Sequence, residues 1–91
     1  MDNDSAPIVL APGATLLAIV KEGVLLHYTG NIALSHAEFV KRSMGTLPEG
    51  AWVGTVQKQG KVVVTMNSKT YYGNQMPAPQ AVEDAIHAVF K

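Results

Sequence analysis

The sequence contains no cysteine, which excludes disulfide bonds, thiolate zinc sites, iron–sulfur clusters and cysteine nucleophiles. Charge is also scarce, since Asp, Glu, Lys and Arg make up 15% of the residues, against about 25% in an average soluble domain. The formal net charge is zero, which argues against strong nonspecific binding to nucleic acid or to an anionic membrane. A chain of 91 residues has a high ratio of surface to volume and should be more polar than average. We therefore expect apolar surface to remain after the core is filled, and such surface usually binds a partner.

Targeting signals are absent from the sequence. Asp2 and Asp4 lie near the N-terminus and no Lys or Arg precedes Lys21, the reverse of a secretory signal. The longest uncharged stretch, residues 5–20, is interrupted at Pro12 and is too short to span a membrane. We expect a cytoplasmic protein with no membrane partner.

Two pairs of apolar runs predict two β-hairpins. Their strands cover residues 16–20 and 24–28 in the first hairpin, and residues 51–57 and 61–66 in the second. A two-residue turn at Glu22-Gly23 would force Glu22 to a positive φ, which is costly for that residue. We therefore expect a three-residue loop in each hairpin.

The expected loops determine which residues share a face of the sheet. In the second hairpin, one face carries Trp52, Gly54, Val56, Val62, Val64 and Met66. In the first hairpin, one face carries Leu16, Ala18, Val20, Val24, Leu26 and Tyr28. The other face of that hairpin carries Leu17, Ile19, Leu25 and His27. Because both of its faces are largely apolar, the first hairpin needs to be covered on both sides.

Capping signals and apolar spacing predict two helices. Ser35-x-x-Glu38 is a capping box at the start of the first helix, and Gly45 is expected to end it. The second helix begins near Pro79. Its core-facing stripe consists of Val82, Ala85, Ile86, Val89 and Phe90.

The order ββαββα predicts an α+β two-layer sandwich, with a four-stranded antiparallel sheet and both helices on one face. Residues 7–91 form this single domain, and residues 1–6 are expected to be disordered. Residues 8–10 either add a short N-terminal strand or form an arm that pairs with another chain.

Residues suited to catalysis or metal binding are sparse. His27, His36 and His87 show no ligand spacing, and no acidic cluster supports them. Ser35 is next to His36, but it already has a capping role. We therefore expect no enzyme activity, no metal site and no cofactor.

The leading hypothesis is a noncatalytic interaction module that forms a homodimer through the outer, uncovered face of its first hairpin. The predicted interface residues are Leu17, Ile19, Leu25 and His27. The same surface would serve an accessory or inhibitor protein that docks on a different chain. The sequence separates these two hypotheses poorly.

A second class of function is nucleic-acid binding, because a stretch without acidic residues combines lysine with tyrosine. The residues are Lys58, Lys61, Lys69, Tyr71 and Tyr72. The aperiodic residues 67–75 are also a candidate binding loop. Its candidate contact residues are Lys69, Tyr71, Tyr72 and Asn74.

Overall fold

The computed structural model describes residues 7–91, and the segment predicted to be disordered lies outside the described residues. The elements are β1 (Thr15–Lys21), β2 (Val24–Thr29), α1 (His36–Met44), β3 (Ala51–Gln59), β4 (Val62–Asn67), α2 (Lys69–Tyr72) and α3 (Gln80–His87). The strands form one antiparallel sheet in the order β2-β1-β3-β4. The predicted α+β class and four-stranded antiparallel sheet are confirmed. The one-turn helix α2 lies within the stretch that the sequence marks as aperiodic.

The two longer helices pack on opposite faces of the sheet, so the prediction that both lie on one face is wrong. Phe39 and Val40 of α1 pack against Leu17, Ile19 and Val53. The buried cluster on the other face includes residues of α3, and its members are Leu10, Ala18, Val20, Trp52, Val56, Ala78, Val82, Ala85, Ile86 and Phe90.

The strand order gives the physical reason for this arrangement. β2 and β3 both run antiparallel to β1, which lies between them, so they run parallel to each other. A connection between parallel strands has to cross a face of the sheet. The connection that contains α1 crosses β1 on the face of Leu17 and Ile19, and α3 covers the opposite face.

The turn between β1 and β2 has two residues, not the three expected. Lys21 pairs with Val24, and the turn residues Glu22 and Gly23 have φ angles of 53° and 74°. Glu22 is therefore held in the left-handed region, the conformation that the three-residue loop was expected to avoid.

A β-bulge in this hairpin separates two registers. Val20 pairs with Leu25, whereas Ile19 pairs with His27, so the strand gains one residue between these pairs. Beyond the bulge His27 shares the face of Ile19, as predicted. Leu25 lies on the opposite face, contrary to the prediction.

The second hairpin also has a two-residue turn. Gln59 pairs with Val62, and Gly60 in the turn has a φ of 63°. Val56 consequently pairs with Thr65, so the predicted grouping of Val56 with Val62, Val64 and Met66 is wrong. Those three residues of β4 lie on the α1 face instead.

The predicted caps of α1 are present. The Ser35 hydroxyl accepts a hydrogen bond from the Glu38 N–H at 3.1 Å. Gly45 follows the helix with a φ of 80°, and its N–H donates to the Lys41 carbonyl. At the start of α3, Pro79 occupies the N-cap position.

Residues 8–10 pair with the segment that follows α3. The Ile8 N–H donates to the Val89 carbonyl at 2.7 Å, and the Lys91 N–H donates to the Ile8 carbonyl at 2.9 Å. A parallel bridge joins Ile8 to Phe90. Within the described chain this segment therefore pairs with the residues that follow α3 and adds no strand to the sheet. In the part of the chain that the structure describes, no helix is long and apolar enough to cross a membrane.

Candidate interaction surface

Leu17 and Ile19, two of the four predicted interface residues, are buried within the chain. Their exposed fractions are 4% and 0%, because Phe39 and Val40 of α1 cover them. The prediction that this face of the first hairpin remains uncovered is wrong. The apolar residues do require cover, as the sequence predicts, but a helix of the same chain provides it.

The other two predicted interface residues lie on opposite faces of β2. Leu25 packs partly buried against the core on the α3 face. His27 is exposed and shares the α1 face with Ile19. The four residues therefore do not form one surface.

The outer edge of β2 is open. β2 is the terminal strand of the sheet, and among the described residues it pairs with β1 alone. Val24, Leu26 and Tyr28 are 56%, 38% and 48% exposed. The strand contains no Lys, Arg, Asp, Glu or Pro, the residues that commonly protect an edge from pairing with another chain. β2 therefore presents an apolar edge with unused backbone hydrogen-bonding groups.

The opposite edge of the sheet is shielded. The Asn67 N–H of β4 donates to the Met76 carbonyl at 2.9 Å, and the Ala78 N–H donates to the Thr65 carbonyl at 3.1 Å. An antiparallel bridge joins Met66 to Pro77 between these bonds. The outer side of β4 therefore has a backbone partner from Thr65 to Asn67, whereas no such partner is present along β2 among the described residues.

Sequence reasoning missed the open edge because it assigned Val24, Leu26 and Tyr28 to a covered face. The available signal was the lack of any charged residue from Val24 to Thr29 in a strand of a small sheet. That signal becomes decisive only when the strand order is known, since a central strand is also free of charge.

Tyr72, predicted as a binding residue, has a structural contact. Its hydroxyl accepts from the Val53 N–H at 3.2 Å and lies 3.3 Å from the Ala51 carbonyl, to which it donates. The Ser68 N–H donates to the Val53 carbonyl at 3.1 Å. Together these contacts satisfy backbone hydrogen-bonding groups of Ala51 and Val53, in the part of β3 that extends beyond β4.

Asn74 is likewise part of a hydrogen-bond network within the chain. Its Oδ1 accepts from Asn67 Nδ2 and from the Met76 N–H, both at 3.0 Å. Asn67 Oδ1 in turn accepts from Trp52 Nε1 at 2.8 Å. Of the four predicted loop residues, Lys69 and Tyr71 are exposed on α2 without a hydrogen bond of this kind among those described.

His36 and Ser68 form a pair that the sequence gave no reason to expect. His36 Nδ1 lies 2.9 Å from Ser68 Oγ, and Ser68 is 0% exposed. His36 Nε2 is buried without a hydrogen-bond partner among the described residues, and this burial lowers the pKa of His36. A catalytic serine must reach its substrate, and its base is normally oriented by a third group. The enclosed pair has the geometry of a structural link between α1 and the end of β4.

The residues of the nucleic-acid hypothesis divide into two groups. Lys58 lies near the end of β3 and Lys61 lies in the turn before β4, whereas Lys69, Tyr71 and Tyr72 lie on α2. Tyr72 contacts Val53, five residues along β3 from Lys58, a separation of about 17 Å at the rise of a strand. The structure therefore does not bring the five side chains together. Within residues 7–91, no three His, Asp or Glu side chains gather so as to hold a metal ion.

Comparison with known proteins gives no match to a family model, to a curated protein or to a solved structure.

Proposed function

We propose that the protein is a noncatalytic interaction module that forms a homodimer by antiparallel pairing of β2 with β2 of a second copy. The observation that carries the proposal is the open, uncharged edge of β2. Pairing of this kind extends the sheet of each copy into one sheet of eight strands. The predicted class of function is retained, but the contact moves from the face of the hairpin to its edge.

Backbone hydrogen bonds would supply affinity to this contact. An unpaired strand edge offers N–H and C=O groups that a second strand can satisfy. In β2 the bulge between Leu25 and His27 interrupts this row. A twofold contact uses the same surface on both copies. Each copy therefore brings the donors and acceptors that the other lacks.

The charge distribution favours a second copy as the partner. Like charges opposite each other destabilise a strand pair, and β2 carries no charge between Val24 and Thr29. Antiparallel pairing also places the turn of one copy beside the far end of β2 in the other. Glu22 and Lys21 therefore do not meet their own counterparts.

Apolar side chains add to the contact. Val24, Leu26 and Tyr28 have between 38% and 56% of their surface exposed, and part of this surface would become buried in the dimer. Burial of a whole apolar side chain contributes about 1.5–3 kcal/mol, and association itself is opposed by lost freedom of motion. We expect a Kd of about 1–100 μM, as is usual for a small interface.

Sedimentation velocity over a range of concentrations tests the proposal. The wild-type protein should show a reversible dimer, and Val24→Lys combined with Leu26→Lys should weaken it at least about tenfold. Val62→Lys is the matched control, because Val62 also begins the second strand of a hairpin after a two-residue turn and is 60% exposed. Circular dichroism establishes that each variant keeps the fold.

Two results would contradict the homodimer. A wild-type protein that remains monomeric at every concentration would favour the alternative of an accessory or inhibitor protein that docks on a different chain. A dimer that survives the double substitution would place the interface away from β2. The cytoplasmic location stays a prediction of the sequence.

A further inference from the structure

Three lysines converge at the end of the molecule where β3, β4 and α3 meet. Lys58, Lys61 and Lys91 line one cavity of about 360 Å³, although Lys91 is distant from the other two in sequence. A volume of this size is in the range of small-molecule sites. None of the described residues that line the cavity is acidic.

The backbone at two of these lysines is fixed by the segment that precedes β1. The Gly13 N–H donates to the Lys58 carbonyl at 2.7 Å, and the Lys58 N–H donates to the Ala14 carbonyl at 2.9 Å. The Leu10 N–H donates to the Lys91 carbonyl at 2.7 Å. The fold therefore brings separate parts of the chain to one site. These hydrogen bonds fix the backbone from which the side chains of Lys58 and Lys91 extend.

The rest of the cavity is apolar except for one histidine. Its other lining residues are Val62, Val63, Phe90 and His87. His87 Nε2 lies 3.0 Å from the Val63 carbonyl oxygen, which can only accept, so Nε2 carries a hydrogen.

We propose that this cavity binds a small phosphate monoester with an apolar or aromatic group. The lysines contact the phosphate, whose two negative charges attract the ammonium groups that line the cavity. Val63 and Phe90, which lie on the α3 face, contact the apolar part. A dianion satisfies three cations better than a carboxylate does, and the apolar wall favours an ester over free phosphate.

Titration of ¹⁵N-labelled protein with phenyl phosphate, followed by NMR, tests the proposal. The amide signals of Val62, Val63 and His87 should shift and saturate. Phenol, inorganic phosphate and benzoate should each bind more weakly. Phenol lacks the phosphate, inorganic phosphate lacks the aromatic group, and benzoate lacks the second negative charge.

Lys58→Gln and Lys61→Gln should each weaken phenyl phosphate binding about fivefold, the effect of losing one exposed ion pair. Lys41→Gln is the control, since Lys41 is exposed on α1 at the opposite face of the sheet. The Val24→Lys variant should bind as the wild type does, so failure of the homodimer leaves this test intact.

Three outcomes would overturn the site. Amide shifts that do not saturate, or that occur at other residues, would contradict the site. Equal weakening of phenyl phosphate binding in Lys41→Gln would also contradict it. Tighter binding of benzoate contradicts the choice of phosphate. Tighter binding of a single-stranded oligonucleotide, with shifts that extend to α2, would restore the nucleic-acid hypothesis in its place.

Discussion

The ring of Tyr28 meets the ring of Phe90 edge to face, with 5.4 Å between the ring centroids and 85° between the ring planes. Phe90 is almost completely buried, whereas Tyr28 is 48% exposed. The contact joins the edge strand β2 to the segment that follows α3. One side of Tyr28 is thereby held against the core, and its other side remains available at the open edge.

Removal of this contact should destabilise the chain measurably. We expect Tyr28→Leu to lower the free energy of unfolding by about 1 kcal/mol, the usual contribution of such an aromatic pair. Urea denaturation in the Val24→Lys/Leu26→Lys background, at a concentration where that variant is monomeric, measures the effect without a contribution from self-association. Tyr71→Leu on α2 is the control and should change stability by less than about 0.5 kcal/mol. Equal stabilities of the two variants would show that the ring contact contributes nothing.

Gly54 allows close contact between β3 and its surroundings. A β-carbon at this position would overlap the backbone carbonyl oxygen of Met66 and the indole ring of Trp52. We expect Gly54→Ala to lower the free energy of unfolding by at least about 3 kcal/mol or to prevent folding. Gly30→Ala is the matched control, because its added carbon would lie 3.6 Å from Leu16 Cδ2, an ordinary contact. Thermal unfolding compares the two, and similar effects would contradict the overlap.

The positive φ of Glu22 should be relieved by a residue that tolerates it. Asn adopts the left-handed conformation more readily than Glu does, and it is favoured in two-residue hairpin turns. We expect Glu22→Asn to raise the free energy of unfolding by about 0.5–1 kcal/mol. Glu49→Asn, in a turn where the glutamate has no positive φ, should leave stability unchanged. If Glu22→Asn lowers the free energy of unfolding, the Glu22 side chain makes a contact that stabilises the fold by more than the positive φ costs.

His36 should make the stability of the chain depend on pH. Burial lowers its pKa in the folded state below the ordinary value of 6.5. The unfolded chain therefore takes up a proton at a higher pH than the folded chain does. Stability is fully present above pH 6.5 and is lost as the pH falls through that value, until it levels off below the folded pKa.

Unfolding by urea at pH 7.5 and at lower pH values measures this loss. His36→Gln keeps a polar side chain beside Ser68 and should flatten the pH dependence between pH 7 and 5. His27→Gln, at an exposed position on β2, should retain the dependence. An unchanged pH profile in His36→Gln would assign the effect to another group.

Local signals in the sequence predicted the helices well. The Ser35 cap, the Gly45 stop and the buried stripe of Val82, Ala85 and Ile86 are present in the structure. Each of these depends on residues only a few positions apart, where chain geometry leaves little freedom. The antiparallel sheet also followed from apolar runs and their spacing.

Features that depend on a one-residue shift or on distant contacts were not predictable in this way. The first turn tolerates the strain at Glu22, and both hairpin turns are one residue shorter than expected. The shorter second turn places Val62, Val64 and Met66 on the opposite face from the predicted one. The cover of Ile19 by α1 required the strand order. The pairing of His36 with Ser68 joins residues 32 positions apart, and nothing local indicates it.

The bridge between Ile8 and Phe90 closes a loop that contains every helix and strand of the described chain. Contacts between such distant residues usually form after local ones, because the chain must first be brought together. We therefore expect this closure to be the last step of folding and the first to reverse. Hydrogen exchange at the amides of Ile8, Leu10 and Lys91 should then be faster than in β1 and β3. In that opened form the two ends of the described chain lose their hydrogen bonds to each other, while Val82, Ala85 and Ile86 keep α3 packed on the sheet.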